Sequence, residues 1–261
     1  MPNPSFYPFI PSFPKKKAMH PIWVITKKEL SSFFDSLIAY VILIAFLGLS
    51  GLFTWDPLEL IGQGDIFFRR QADLQVFFSI AYWTLFFFVP ALTMRQIAEE
   101  RKAGTIELLL TKDVSNRQLI VGKFLACLLM VCIALAFTIP YYITVAQLGE
   151  MDHGATISGY MGLLLMSAAY ISIGLFASSV TSNQIVAFLL AILIGVFFHI
   201  LFEVMAANTQ GALGTFFRNL SLQYHFQSIQ RGVIDSKDLI YFASIIVLGL
   251  GLSELIISKR S

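Results

Sequence analysis

Two ionisable side chains interrupt a long apolar run in the second half of the chain. His199 and Glu203 are four positions apart, so a helix places both on one face. Ionisable groups inside a membrane are candidates for a proton relay or a substrate-binding site. Such a pair also occurs as a structural or interfacial contact that serves packing alone. We favour the structural interpretation, because Glu203 lies three residues from the end of the run, where burial of a carboxylate costs little.

The densest cluster of charge lies at residues 95–123, RQIAEERKAGTIELLLTKDVSNRQLIVGK, between two apolar runs. It contains six Lys/Arg and four Asp/Glu side chains in 29 residues. Nearly everything around it is apolar. We therefore expect this segment to be the place where the chain meets water and a soluble partner protein.

The sequence contains no motif for catalysis or for a cofactor. There is no G-x-x-x-x-G-K-[ST], no H-E-x-x-H and no G-x-S-x-G. Cys127 and Cys132 lie five apart on one expected helix, which disfavours a disulfide and fits no metal-ligand spacing. We predict no catalytic residue, no metal and no cofactor, so ATP or another energy source must be handled by a partner polypeptide. A six-span intramembrane enzyme is disfavoured for the same reason.

The composition indicates a membrane protein. Hydrophobic residues make up 57% of the chain, charged residues only 13%, and the mean hydropathy is +0.75. Soluble domains average roughly 45–50% apolar and about 25% charged residues. The net charge of +2 does not indicate a nucleic-acid partner.

Six apolar runs are long enough to cross the roughly 30 Å hydrocarbon core as helices. They span residues 36–54, 74–94, 124–148, 157–180, 184–206 and 239–257. With a cytoplasmic N-terminus, 13 Lys/Arg side chains fall in inside segments and 5 in outside segments. This asymmetry follows the positive-inside rule and predicts that both termini are cytoplasmic.

The segments outside these runs differ in character. Residues 1–18 contain five prolines, so we expect a disordered tail, and Met19 is an alternative start. Residues 20–35 have an amphipathic pattern, which is typical of a helix lying in the headgroup region, although a plain extension of the first span is the alternative. Residues 207–238 are moderately apolar but interrupted by glycines, which favours short re-entrant helices in the outer leaflet over an ordinary loop.

Local signals divide the charged segment into three helices. We expect the second span to continue as a helix through Lys102, since no breaker occurs there, and to stop at Gly104. Thr105 then caps a short helix over residues 105–110, in which Ile106, Leu109 and Leu110 share a face and Glu107 lies in the first turn. Ser115 and Gln118 fit a capping box that restarts the chain as the third span.

The run EERKAGTIELLLTKDVSNRQLIVGKFLA resembles the signature segment of ABC-2 type permeases, the membrane subunits of ABC exporters. The matching positions are Glu99, Glu100, Arg101, Gly104, Thr105, Glu107, Leu109, Leu110, Val114, Ser115, Gly122 and Lys123, while Asp113 replaces the common proline. The segments WVITKKELSSFFDSLIAYV and LSLQYHFQSIQRGVIDSKDLIYF are similar to the gliding-motility-associated branch. The resemblance covers most of residues 19–261.

This resemblance implies an all-α membrane protein of six spans in the bacterial inner membrane, working as a homo- or heterodimer with an ABC ATPase that binds the ATP. It assigns residues 105–110 as the coupling helix, and the ATPase-coupling residues as Glu99, Glu100, Arg101, Gly104, Thr105, Ile106, Glu107, Leu109 and Leu110. The amphipathic start becomes a connecting helix and the segment after the fifth span an outer gate, both in contact with membrane lipid. The implied function is export of a substrate. The alternative is a membrane scaffold that anchors an ATPase-driven complex, such as secretion or gliding machinery, without moving a substrate.

Overall fold

The computed structural model describes residues 21–55, 72–105 and 114–260, and this part of the chain contains helices and no strand. Ile106, Glu107, Leu109 and Leu110, the tail at residues 1–18 and the Met19 start lie outside the described residues. The α-helices are α1 Pro21–Phe34, α2 Leu37–Trp55, α3 Gln75–Thr93, α4 Ala98–Lys102, α5 Asn116–Ala136, α6 Ile139–Leu148, α7 His153–Val180, α8 Gln184–Val196, α9 Phe202–Asn208, α10 Gly211–Leu220, α11 Leu222–Gln230 and α12 Ser236–Arg260. A π-helical turn, Phe197–Leu201, joins α8 to α9.

Five helical segments in the described part of the chain are long and apolar enough to cross a membrane. They are Gln75–Lys102, Asn116–Leu148, His153–Val180, Gln184–Asn208 and Ser236–Lys259. The pair α1 and α2, bent by 74°, qualifies as a sixth if both helices form one span. The all-α architecture is therefore confirmed, with five to six candidate spans.

Helix α7 forms the centre of the bundle, and 78% of its most apolar 18-residue stretch is buried. Small residues let its neighbours approach closely. A Cβ atom at Gly159 would lie 2.5 Å from Phe78 Cζ of α3, and Gly174 lies directly against Thr93 of the same helix. On another side, a Cβ atom at Gly249 of α12 would lie 2.6 Å from Ser172 Oγ. Tight packing of this kind stabilises helix association in lipid, where hydrophobic burial adds little.

The outer faces of α8 and α12 are apolar and exposed. In the segments Gln184–Asn208 and Ser236–Lys259, which contain α8 and α12, only 22% of the most apolar 18-residue stretch is buried. Ile185 and Leu189 on α8 and Val247 and Leu248 on α12 are each more than half exposed. Such faces suit contact with lipid tails or with another membrane-embedded subunit.

Two expected helices are interrupted. Residues 94–97 form a turn between α3 and α4, but Gln75–Lys102 remains one helical segment, so the predicted continuation through Lys102 is confirmed with an interruption at this turn. The amide N–H groups of Ile97 and Ala98 donate to Ser178 Oγ, at 3.1 Å and 3.0 Å, instead of to carbonyls of their own helix. The run at 124–148 also divides into α5 and α6, with a proline at the start of α6.

Residues 207–238 contain the two short helices α10 and α11, of ten and nine residues. The predicted short helices are present, and neither is long enough to span a membrane. Gly232, just after α11, faces Ala155 in the first turn of α7, at 3.6 Å between a built Cβ atom and Ala155 Cα. We call the end of the bundle that contains α10, α11 and the first turn of α12 the far end.

A buried polar contact between His225 and Asp238 fixes the far end. His225 of α11 lies 2.7 Å from Asp238 Oδ1 through Nδ1 and 3.0 Å from the carbonyl oxygen of Asn219 through Nε2. The His225 ring also stacks on Tyr241 with centroids 4.0 Å apart. Asp238 is fully buried and His225 is 4% exposed. This contact joins α11 to the beginning of α12.

Candidate functional site

Among the lysine and arginine residues whose burial the structure describes, only Lys123 of α5 is buried. Its ammonium group Nζ lies 2.8 Å from Glu100 Oε1 and 3.3 Å from Glu29 Oε1. An isolated buried ammonium would be strongly unfavourable, so it requires such partners. Glu29 belongs to α1 and Glu100 to α4. The three residues therefore connect three helices, and we call them the Lys123 cluster.

Helix α1 reaches α5 because Gly122 has no side chain. A Cβ atom at Gly122 would lie 2.7 Å from Ile25 Cγ2 and 3.2 Å from the carbonyl oxygen of Ile22. Thr26 then donates from Oγ1 to the Gly122 carbonyl at 3.1 Å, within the buried contact. This close approach places Glu29 beside Lys123. The Gly-Lys dipeptide thus supplies both the space and the charge for docking α1.

Helix α4 is fixed to the end of α7. Ser178 Oγ accepts hydrogen bonds from the amides of Ile97 and Ala98 and donates to the carbonyl of Met94 at 3.0 Å. Arg101 donates from Nη1 to the carbonyl of Ser179. Since α4 is only five residues long, these contacts determine its position. They place Glu100 against Lys123.

A pocket of about 400 Å³ opens between α1 and α4, next to the Lys123 cluster. Two of the residues that line it carry a buried oxygen, Gln96 Oε1 and Glu100 Oε2, that accepts no hydrogen bond within the described part of the chain. The lining residues are Lys28, Glu29, Ser32, Phe33, Asp35, Ser36, Arg95, Gln96, Glu99, Glu100 and Lys123. The pocket is polar and carries charges of both signs.

The chain leaves this site at a sharp turn after α4. Gly104 has a φ of 65°, a left-handed conformation that glycine adopts without strain, and its amide donates to the Arg101 carbonyl at 3.2 Å. The predicted stop at Gly104 is confirmed. Thr105 is exposed and donates from Oγ1 to the Glu100 carbonyl at 3.2 Å. The segment assigned to coupling begins here.

The next helix, α5, also begins where the sequence predicts it. Gln118 N–H donates to Ser115 Oγ at 3.2 Å, and Ser115 N–H donates to Gln118 Oε1 at 3.0 Å. This reciprocal capping box is the one predicted, and it begins α5. Eight residues after Ser115, the helix brings Lys123 to the buried cluster.

The structure places the predicted site residues in different surroundings. Glu100 lies in the Lys123 cluster, Arg101 contacts α7, and Glu99 lies 3.9 Å from Arg95. Glu29, Gln96, Lys123 and Ser178 were not predicted as site residues. The available signal was a lysine directly after a glycine at the start of an apolar run, because a charge at that position needs a partner.

His199 and Glu203 bind different partners. His199 is buried at the π-helical turn, its Nδ1 contacts the Tyr170 hydroxyl, and its ring stacks on Tyr82 with centroids 4.1 Å apart. Glu203 accepts a hydrogen bond from Ser221 Oγ at 3.0 Å. The described residues contain no group of three or more potential metal ligands. These contacts connect α7, α3 and the far end through packing and hydrogen bonds.

Comparison with known proteins identifies the chain at the level of family. No protein of curated function matches it in sequence. The family model described as ABC-2 family transporter protein matches residues 23–234, a range that contains most of α1, the Lys123 cluster, the pocket and α11. The matched range contains four of the five helical segments in the described part of the chain that are long and apolar enough to span a membrane. The chain therefore belongs to the ABC-2 family of transporter proteins and is a multi-pass transmembrane subunit of the ABC transporter type.

Proposed function

We propose that this chain is the permease of an ABC exporter in the bacterial inner membrane, with both termini in the cytoplasm. In this proposal a separate ABC ATPase binds and hydrolyses ATP, and residues 105–110 transmit its movement to the bundle. Two permease copies, or this chain and a homologous permease, form the path for the substrate. The exposed apolar faces of α8 and α12 are consistent with such a pairing within lipid.

The observation that carries the proposal is the Lys123 cluster beside the turn at Gly104. A force on residues 105–110 acts first on Gly104 and α4. Because Glu100 and Glu29 share Lys123, that force also acts on α1 and α5. Ser178 connects α4 to α7, the central helix. These contacts connect α4, which ends just before the proposed docking segment, with α1, α5 and α7, and this supports the proposal that the ATPase rearranges the bundle through that segment.

The proposal is tested by purifying the tagged permease from native membranes and identifying associated ABC ATPases. We expect an ATPase to copurify with the unaltered chain and to be lost from the double variant Ile106→Asp and Leu109→Asp, because carboxylates would disrupt an apolar docking face. The permease variant must remain folded, as judged by its size-exclusion profile. Copurification that is unchanged in the double variant would exclude residues 105–110 as the docking segment.

A transport assay then distinguishes an exporter from a scaffold. Inverted vesicles containing the permease and its ATPase should accumulate substrate in the lumen when ATP is supplied. Membrane lipids and the compounds made by neighbouring genes are the first substrates to test. ATPase binding without ATP-dependent accumulation of any of them would favour a scaffold that anchors the ATPase complex.

A further inference from the structure

One face of α11 carries four hydrogen-bonding side chains that are open to a ligand. Tyr224, Gln227, Ser228 and Arg231 have the spacing of one helical face, and together with Val233 they line a pocket of about 170 Å³ at the far end of the bundle. Arg231 is exposed and the other three polar residues are half-buried. Within the described part of the chain, none of these four side chains forms a hydrogen bond or an ion pair.

The charges around this pocket favour an anionic ligand. Arg231 supplies a guanidinium, and no carboxylate lines the pocket among the described residues. Arg218 Cζ of α10 and Lys237 Nζ of α12 each lie 5.9 Å from the centre of the Tyr224 ring. Asp235 pairs with Lys237 at 3.2 Å, so three cations and one carboxylate leave a formal charge of +2. Phosphate offers several acceptor oxygens to such a set of guanidinium, hydroxyl and amide donors.

The nearby acceptor groups are already engaged and do not compete for these donors. Asp238 is fully buried against His225, and Glu203 accepts a hydrogen bond from Ser221, at the opposite end of α11 from the pocket. Backbone carbonyls in the last turn of α11 accept the N–H groups of residues 231 and 232. A phosphate in the pocket would therefore meet hydrogen-bond donors and cations.

Exposed apolar side chains at the far end favour a lipid as the source of the phosphate. Val233 lines the pocket and is 59% exposed, Ile234 follows it at 51%, and Phe216 of α10 is 57% exposed. A free phosphate ion would leave these side chains in water, whereas a lipid would cover them with its acyl chains. Basic residues beside exposed apolar residues are typical of a surface that lies at the headgroup level of a membrane.

We propose that this pocket binds the phosphate group of an anionic phospholipid. The Arg231 guanidinium pairs with the phosphate oxygens, and the Tyr224 and Ser228 hydroxyls and the Gln227 amide donate to them. Val233 contacts the glycerol and the beginning of the acyl chains. This inference goes beyond the proposed function, because it requires neither the ATPase nor transport.

The test measures the dissociation constant of the first bound lipid by native mass spectrometry of the full chain in detergent. Phosphatidylglycerol should bind at least about tenfold more tightly than phosphatidylcholine, whose headgroup is neutral overall. Arg231→Gln should weaken binding of phosphatidylglycerol by about tenfold or more, and Arg231→Lys should retain most of it. Tyr224→Phe combined with Ser228→Ala removes two donors without changing the charge and should weaken binding by about tenfold.

Lys259→Gln is the matched control, because it removes an equal charge from an exposed site in the last turn of α12 and should change nothing. Loss of binding in both the Arg231→Gln and the double hydroxyl variant, with binding kept in the control, would support the inference. An equal loss in Lys259→Gln, or an unchanged double hydroxyl variant, would overturn it, because a general attraction of basic residues to anionic lipid would then explain the binding. Displacement of the lipid by inorganic phosphate at an equal concentration would overturn the assignment to a lipid.

Discussion

Lys123 and Glu100 are 23 residues apart in the chain, yet Lys123 Nζ lies 2.8 Å from Glu100 Oε1 in the interior of the bundle. Glu29 shares the same ammonium group from α1, at 3.3 Å. The contact is largely shielded from solvent, since the side chains of Lys123, Glu100 and Glu29 are 1%, 17% and 11% exposed. Its removal should therefore have larger consequences than the loss of a surface ion pair.

Lys123→Met should destabilise the protein by about 3 kcal/mol, because it leaves two shielded carboxylates without their counter-charge. The measurement is the free energy of unfolding in detergent micelles. The triple variant Lys123→Met, Glu100→Gln and Glu29→Gln removes the uncompensated charges and should recover most of the loss. A single variant as stable as the unaltered chain would show that the cluster does not hold α1, α4 and α5 together.

Ser178→Ala should release α4 locally, because the amides of Ile97 and Ala98 lose their acceptor in a buried site. We expect a loss of about 1–3 kcal/mol of unfolding free energy. Faster hydrogen exchange at Ile97 and Ala98 should accompany it. Ser179→Ala is the control, since Ser179 receives Arg101 through its backbone carbonyl, which the substitution retains. Unchanged exchange at both amides in Ser178→Ala would contradict the assigned role.

His225→Ala should destabilise the far end of the bundle. The substitution leaves the fully buried Asp238 without the partner that lies 2.7 Å away, at an expected cost of about 3 kcal/mol in unfolding free energy. His225→Leu combined with Asp238→Leu removes both polar groups and should cost less. By contrast, Lys237→Ala removes an exposed ion pair with Asp235 and should have no measurable effect. Equal effects of His225→Ala and Lys237→Ala would refute the buried contact.

The proposed orientation predicts which end of the bundle faces the cytoplasm. Thr105 and Arg231 are both exposed, and they lie at opposite ends of α7. After the native cysteines Cys127 and Cys132 are replaced by alanine, Arg231→Cys should react with an impermeant maleimide in intact spheroplasts. Thr105→Cys should react only after permeabilisation. The reverse pattern would show that the bundle is inserted with the Lys123 cluster outside.

Features determined by neighbouring residues could be predicted from the sequence. The stop at Gly104 requires one residue with a positive φ, and the cap at Ser115 requires one partner three positions later. The apolar runs predict the candidate spans for a similar reason, because length and hydropathy are properties of a single segment. The family resemblance at residues 95–123 likewise depends on a continuous stretch of sequence, and the family is confirmed.

Contacts between distant segments could not be predicted in this way. The turn at residues 94–97 depends on Ser178, 81 positions from Ile97, and no local breaker indicates it. A lysine at the start of an apolar run indicates that Lys123 needs an acidic partner, but nothing in the sequence identifies Glu29 and Glu100 as its partners among the acidic residues. His199 and Glu203 have the spacing of a helical pair, whereas the structure gives them Tyr170 and Ser221 as partners. The π-helical turn that contains His199 alters the helical register between them.

Direct contact between residues 105–110 and an ABC ATPase is the central claim of this account. The measurement is photo-crosslinking in native membranes, with p-benzoylphenylalanine in place of Leu109 and, as the control, in place of Phe216, which is 57% exposed on α10. We predict a crosslinked product that contains an ABC ATPase from position 109 and none from position 216. Crosslinks from position 109 to lipid or to the permease alone, or an ATPase adduct from position 216, would contradict the account.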